Sequence, residues 1–277
     1  MGKLSVLFSL CLSMFVFFTK AQTPLVLPIV HERTIAGNFS RFHVDNLGNF
    51  YVLLSNNIQI EKLGNNGDSL QLSDNLNQYG NIYSIDVSNP LKLLVYYKDF
   101  STALMLDRFL NTVNTVDLRQ SGVMQASAVA SSYDSQIWVY DEQNAQIKKL
   151  DANANITFTS TDLRAALDEA PSPSKIIDNN GQLYLYDKNM GWLLFDYYGG
   201  FKKKVEYKNW EDVSVMNNIL FGREGGTLWM YDPKKFIAQP FTTSINIDFQ
   251  KIKQLLITGN KIYTLNSEGI DVYDIQQ

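Results

Sequence analysis

Six short apolar runs recur about every 42 residues, with tight turns rich in Asn and Gly between strand-like segments and one solitary strand-like stretch near the amino end. Together these predict an all-β protein: a six-bladed β-propeller of four-stranded antiparallel blades, closed by its N-terminal strand. The runs are Phe50-Tyr51-Val52-Leu53-Leu54, Leu93-Leu94-Val95-Tyr96-Tyr97, Ile137-Trp138-Val139-Tyr140, Leu183-Tyr184-Leu185-Tyr186, Ile219-Leu220-Phe221 and Ile262-Tyr263-Thr264-Leu265. Their starts lie 43, 44, 46, 36 and 43 residues apart, close to the length of one four-stranded blade. The interval of 36 is the least regular and makes the parsing between residues 161 and 250 the weakest part of the pattern.

Taken in chain order, residues 1–21 read as a signal peptide. Lys3 is the positive start, residues 4–18 are apolar, and Thr19 and Ala21 are the small residues before a cut at Gln22. An apolar stretch of 15 residues is too short to cross a membrane comfortably, and no later segment is long enough. Residues 24–36 are strand-like and precede the first blade, so they are expected to supply the fourth strand of the last blade, which has room for only three. Such a latch removes the open edge between first and last blades. Each run follows a strand and a turn: Val44-Asp45-Asn46-Leu47-Gly48-Asn49 before the first, Ile177-Asp178-Asn179-Asn180-Gly181-Gln182 before the fourth, then Asn217-Asn218 and Gly259-Asn260. Asn and Gly tolerate positive φ, which suits tight hairpins. Third strands follow at Ile58-Gln59-Ile60-Glu61-Lys62-Leu63, Ile147-Lys148-Lys149-Leu150 and Ile270-Asp271-Val272-Tyr273, for about 23 strands over residues 39–277. One segment breaks the β rhythm. Leu163, Ala166 and Leu167 have helical spacing, Thr161 is placed to cap them, and Pro171 and Pro173 stop them, so a short helix is expected as a linker between blades three and four.

Composition excludes several classes of function. Hydrophobic residues make up 45% and charged residues 19%, a globular balance. The one cysteine, Cys11, lies in the leader, so the mature chain has no disulfide, thiolate ligand or thiol nucleophile. The 28 acidic residues outnumber the 24 basic ones, which argues against nucleic acid as a partner. A sandwich of this length would be large for one domain, and a single barrel needs far fewer strands.

Val44-Asp45-Asn46-Leu47-Gly48-Asn49-Phe50-Tyr51-Val52, continued by Asn57-Ile58-Gln59, resembles the NHL-type propeller repeat, with its Asp, Gly-Asn turn, aromatic-Val strand and Asn-x-Ile continuation. Ile177-Asp178-Asn179-Asn180-Gly181-Gln182-Leu183-Tyr184 is a second copy, while the second blade carries Ser88-Asn89-Pro90 where the Gly turn should be. The start at Gln22, the cysteine-free mature chain and the heavy use of Asn, Tyr and Lys resemble exported proteins of Bacteroidota. The resemblance implies an exported, periplasmic protein, associated with the outer membrane; it specifies a fold and no activity.

Residues with chemical potential are few. The two histidines, His31 and His43, form no metal-ligand pattern and read as structural or surface residues. Tyr-Asp pairs recur at Tyr140-Asp141, Tyr186-Asp187, Tyr231-Asp232 and Tyr273-Asp274. A ring of acids would bind cations or sugars, but an Asp at a strand end more readily accepts turn amides while Tyr packs between blades. No nucleophile elbow, phosphate loop, dinucleotide motif or calcium loop is present. The basic run Lys202-Lys203-Lys204, with Tyr198 and Trp210 nearby, is the candidate partner contact, since aromatics beside a basic cluster are typical of interface hot spots. The expectation is therefore a non-catalytic interaction scaffold in the cell envelope, an accessory subunit of an outer-membrane protein assembly or secretion complex, with protein partners, no cofactor and no metal. The alternatives are a propeller-type hydrolase or lactonase, which would require several Asp, Glu, Asn or His side chains converging on a central metal, or a glycan binder using the aromatics at one face.

Overall fold

The structure is a computed structural model and describes residues 24–55, 57–73 and 77–276. The leader expected over residues 1–21 lies outside the described residues. After β1 (Leu25–Leu27) and β2 (Ile29–Ala36), six blades follow in order. Blade 1 is β3 (Phe39–Val44), β4 (Phe50–Leu54), β5 (Ile60–Leu63) and β6 (Ser69–Leu72). Blade 2 is β7 (Ser84–Asp86), β8 (Lys92–Tyr97), β9 (Thr102–Asp107) and β10 (Thr112–Asp117). Blade 3 is β11 (Ala126–Ser131), β12 (Ile137–Asp141), β13 (Gln146–Leu150) and β14 (Ile156–Thr159). Blade 4 is β15 (Lys175–Asn179), β16 (Gln182–Asp187), β17 (Gly191–Asp196) and β18 (Phe201–Val205). Blade 5 is β19 (Glu211–Met216), β20 (Ile219–Glu224), β21 (Thr227–Asp232) and β22 (Ile237–Thr243). Blade 6 is β23 (Gln254–Thr258), β24 (Lys261–Leu265) and β25 (Gly269–Ile275), completed by β2.

The apolar runs are the second strands, and their lack of alternation has a physical cause. A blade packs against a neighbour on each face, so both sets of side chains are buried; Phe50, Tyr51, Val52 and Leu53 on β4 are all fully buried. The hydrophobic interior is accordingly split into six clusters, one at each junction. Tyr51 and Leu53 of blade 1 meet Leu93 and Val95 of blade 2, and Phe42 and Phe50 meet Tyr263 and Val272 of blade 6. Two layers face to face would give one continuous core instead.

Ring closure is as the sequence predicts, with one refinement. β2 pairs antiparallel with β25 over a register from Ile29↔Ile275 to Ala36↔Gly269. The expected single strand over 24–36 is divided at Pro28, which has no N–H to give a ladder. Residues before it form β1, which pairs parallel with the outer strand of blade 5, Leu25 opposite Phe241. Ser244 holds the crossover: its amide donates to the Leu27 carbonyl at 2.9 Å and its Oγ accepts from the Ile29 amide at 2.9 Å. The N-terminal segment thus latches two blades. Gly269 faces the latch with φ +148, and a Cβ there would lie 2.1 Å from the Ile35 carbonyl oxygen.

Four hairpins share one turn. Asp45, Asp107, Asp151 and Asp196 each accept two backbone amides, two and four residues on, through Oδ1. The fourth residue of each, Gly48, Leu110, Ala154 or Gly199, has positive φ, the signature of a type I turn with a following bulge. The linker helix is shorter than its periodicity suggests: α1 covers Arg164–Leu167. Thr161 does not cap it; Asp162 Oδ1 takes the Arg164 amide at 2.9 Å instead. Asp168, with φ 62, ends it three residues before Pro171. Leu163 inserts into the cluster between blades 3 and 4, which fits the linker role.

Candidate functional site

The first strands of all six blades surround an axial cavity of about 370 Å³. A first strand is a sheet edge, so its outer amides and carbonyls need partners from elsewhere. Side chains on the first strands bridge every junction, most of them through such backbone groups. Arg41 of blade 1 donates to the Tyr83 carbonyl at 2.5 Å and to the Ile82 carbonyl ahead of blade 2. Asp86 of blade 2 accepts the Ser131 amide of blade 3 at 2.8 Å. Asp178 of blade 4 reaches back to blade 3, taking the Trp138 indole N–H at 2.9 Å and the Ser132 hydroxyl at 3.2 Å. Lys175 of blade 4 donates to the Val213 carbonyl of blade 5 at 2.7 Å. Asp212 of blade 5 accepts the Leu255 amide of blade 6. Gln254 of blade 6 completes the circuit on blade 1, accepting from the Phe42 amide at 2.9 Å and donating to the Phe42 carbonyl at 2.8 Å.

His43 points into the same cavity. Burial, then the positive charges of Lys175 and Arg41, push its pKa down to about 3, so its imidazole is neutral at physiological pH. Lys175 is wetted by the cavity but enclosed by protein; this desolvation lowers its pKa against the pull of Asp212 and Asp86. Sequence reasoning read His43 as structural or surface and did not single out Arg41, Lys175 or Gln254. Their signal was a polar residue on the first strand of a blade, beside an apolar second strand. The acids expected of a metal-dependent catalytic axis do not converge: Asp86 and Asp178 are the carboxylates of the cavity wall, and the described residues include no cluster of three or more His, Cys, Asp or Glu able to hold a metal ion.

The Tyr-Asp pairs do not form a ring. Asp141 and Asp187 end second strands, whereas Asp232 and Asp274 lie on third strands, so they fall at opposite faces of the disc. Asp141 is fully buried, accepting the Gln125 amide at 3.1 Å and the Lys148 ammonium at 2.7 Å. Asp187 accepts the Ser172, Asn189 and Met190 amides. Tyr140 and Tyr186 pack in the clusters between blades.

The proposed basic contact is divided by the strand that carries it. Lys202, Lys203 and Lys204 lie on β18 and alternate in direction. Lys202 pairs with Asp196 at 2.7 Å, Lys204 with Glu206 at 3.1 Å, and Lys203 sits 4.9 Å from the Phe236 ring centroid. Trp210 is buried, edge-on to Trp192 and stacked on Tyr207, so it offers no surface to a partner. Tyr198 is different: at 85% it is the most exposed large apolar side chain among the described residues.

Tyr198 belongs to a wider surface that the sequence pattern did not announce. Among the described residues, the five most exposed large apolar side chains are Leu47, Leu91, Tyr133, Tyr198 and Phe236, from 64% to 85% exposed. All five occupy turns joining first to second or third to fourth strands, which a propeller places on one face. They come from five consecutive blades, and Phe109 adds a sixth side chain. Neighbouring tips touch: the Tyr133 and Tyr197 rings are 4.5 Å apart. The aspartates of this face accept its turn amides, and Arg108, Lys234 and Lys235 stand exposed among the apolar tips.

No known family profile and no curated protein sequence matches the chain. Solved structures match its fold. A streptogramin B lyase aligns with TM-score 0.61 at 12% identity, covering 85% of this chain and 78% of that one. Virginiamycin B lyase from Staphylococcus aureus aligns at 0.62 and 9% identity, covering 90% and 99%. The extracellular domain of the putative one-component system BT4673 from B. thetaiotaomicron aligns at 0.57 and 12%, covering 86% of this chain and 33% of that one. Identity this low speaks to architecture and not to chemistry. The NHL label and the Bacteroidota type gain only weak support from these neighbours, and the conclusion they share with the geometry is that this chain is a six-bladed β-propeller.

Proposed function

We propose that the protein is a non-catalytic interaction scaffold of the bacterial cell envelope, an accessory subunit of an outer-membrane protein assembly or secretion complex, and that it docks through its hairpin face. The observation that carries this reading is the concentration of Leu47, Leu91, Tyr133, Tyr198 and Phe236 on that face. Exposed aromatics cost free energy in contact with water and contribute most when covered by a partner. In each of these turns an Asp or Asn side chain accepts a backbone amide, which braces the loop and lowers the ordering entropy that opposes docking. The expected contact therefore moves from the β18 lysines and Trp210 to the hairpin tips, with Tyr198 retained.

Photo-crosslinking in the native host tests this. A photoreactive residue is placed at Tyr133, Tyr198 or Phe236, and in parallel at Val113 on the outer rim. The expected result is one discrete adduct from the three face positions, absent from the rim position and co-fractionating with the outer membrane. Adducts of equal yield from rim and face, or none from either, overturn the proposal.

A further inference from the structure

We propose that the axial cavity is a binding site for a small organic monocarboxylate, independent of the docking face. The first argument is a hydrogen-bond inventory. An ammonium has three donors and a guanidinium five. Lys175 uses one donor on the Val213 carbonyl, and Arg41 uses its two terminal nitrogens on the Tyr83 and Ile82 carbonyls. Neither cation pairs with a carboxylate among the described residues. The acids nearby are already engaged: Asp86 by the Ser88 and Ser131 amides, Asp212 by Arg223 and the Leu255 amide, Asp178 by Trp138 and Ser132. The charges of Arg41 and Lys175 are offset in the wall by Asp86 and Asp178, but the two cations keep spare donors while each of these carboxylates already accepts hydrogen bonds from its own or the neighbouring blade, and the ligand that complements the spare donors is a hydrogen-bond acceptor such as a carboxylate.

The second argument concerns size and wall chemistry. A volume of about 370 Å³ is near the lower end for small-molecule sites. Val44, Ile85, Val129, Val215 and Leu256 make most of the wall apolar, which favours an organic body over a bare inorganic ion. The neutral imidazole of His43, without a hydrogen-bond partner among the described residues, adds a polar contact with no charge to neutralise the ligand. The bridges that hold Arg41 and Lys175 to neighbouring blades preorganise both cations before any ligand arrives.

Calorimetric titration of the purified protein with benzoate, and with benzamide as its uncharged isostere, tests the site. The expected result is benzoate binding with Kd below about 1 mM, with benzamide at least about tenfold weaker. Lys175→Met should weaken benzoate at least about tenfold and Lys175→Arg only a few-fold, with unchanged circular dichroism in both. If Lys175→Met does not fold, the benzoate-to-benzamide ratio in the unmodified protein decides. No benzoate binding up to about 10 mM, equal affinity for both compounds, or a folded Lys175→Met that binds as before overturns the assignment. Crosslinking through the hairpin face is unaffected by any of these outcomes, so the two proposals fail separately.

Discussion

At the scale of single residues, the same backbone strain has opposite consequences at two turns. Leu110 and Ala154 both adopt the left-handed conformation, φ 62 and φ 65, at the position where Gly48 and Gly199 stand in sister hairpins. That conformation costs an L-residue about 1–2 kcal/mol, against about 0.5–1 kcal/mol of extra unfolded-state entropy for Gly. Ala154→Gly should therefore raise stability by about 0.5 kcal/mol in urea unfolding. Leu110 is 2% exposed and packs against blades 1 and 2, so Leu110→Gly forfeits about 2 kcal/mol of burial and should destabilise. The buried pair Asp141–Lys148 sets a pH dependence. Burial works against the Asp141 carboxylate, but the Lys148 ammonium, the Asn144 amide and the Gln125 and Met124 backbone N–H groups outweigh it and hold its pKa below the ordinary value. Its stabilisation is present above the unfolded carboxylate pKa, about 3.9, and is lost as pH falls through the folded value. Asp141→Asn leaves Lys148 uncompensated and should cost about 3–5 kcal/mol at pH 7, with a flatter stability curve below about pH 4.

At the scale of elements, hairpin turns and first-strand bridges do separate jobs. The turns set register within a blade, whereas the circuit from Arg41 to Gln254 ties each edge strand to the next blade. The turns are legible in sequence because an Asp and a Gly or Asn at fixed spacing encode them locally. The bridges are not, because each joins residues about 40 or more positions apart, and Gln254 meets Phe42 across 212. The latch is equally specific. Gly269→Ala would press a Cβ against the Ile35 carbonyl and should lower stability by more than about 2 kcal/mol, seen as a lower unfolding midpoint. The shortened helix α1 illustrates a limit of periodicity: Leu163 and Leu167 are spaced for a helix, but Leu163 is drawn into the cluster between blades and the turn closes at Asp168.

At the scale of the molecule, stability depends on circular continuity. Each of six hydrophobic clusters needs both of its blades, so an open ring exposes two apolar faces at once. Deleting residues 24–36 removes β1 and β2 and bares β25, whose Ile270 and Val272 are fully buried in the closed ring. The expected outcome is self-association on size-exclusion chromatography and faster amide exchange, first in blades 5 and 6. A monomer with native exchange rates would show that β2 does not carry the closure. The two functional proposals also belong to this scale. The hairpin face collects side chains from five blades, and the cavity collects strands from all six, so neither is a property of any one blade.

The sequence by itself determined the blade number, the strand order, the latch and the structural use of the Tyr-Asp pairs. These rest on local turn chemistry and on apolar runs whose period is preserved along the chain. Which polar residues meet was decided only when the ring closed. Curvature brings Arg41, His43 and Lys175 to one axis, disperses the β18 lysines by strand alternation, and buries Trp210 between blades. Proximity on the axis and on the face is set by the angle between blades, which depends on the packing of six interfaces together and is written in no single repeat.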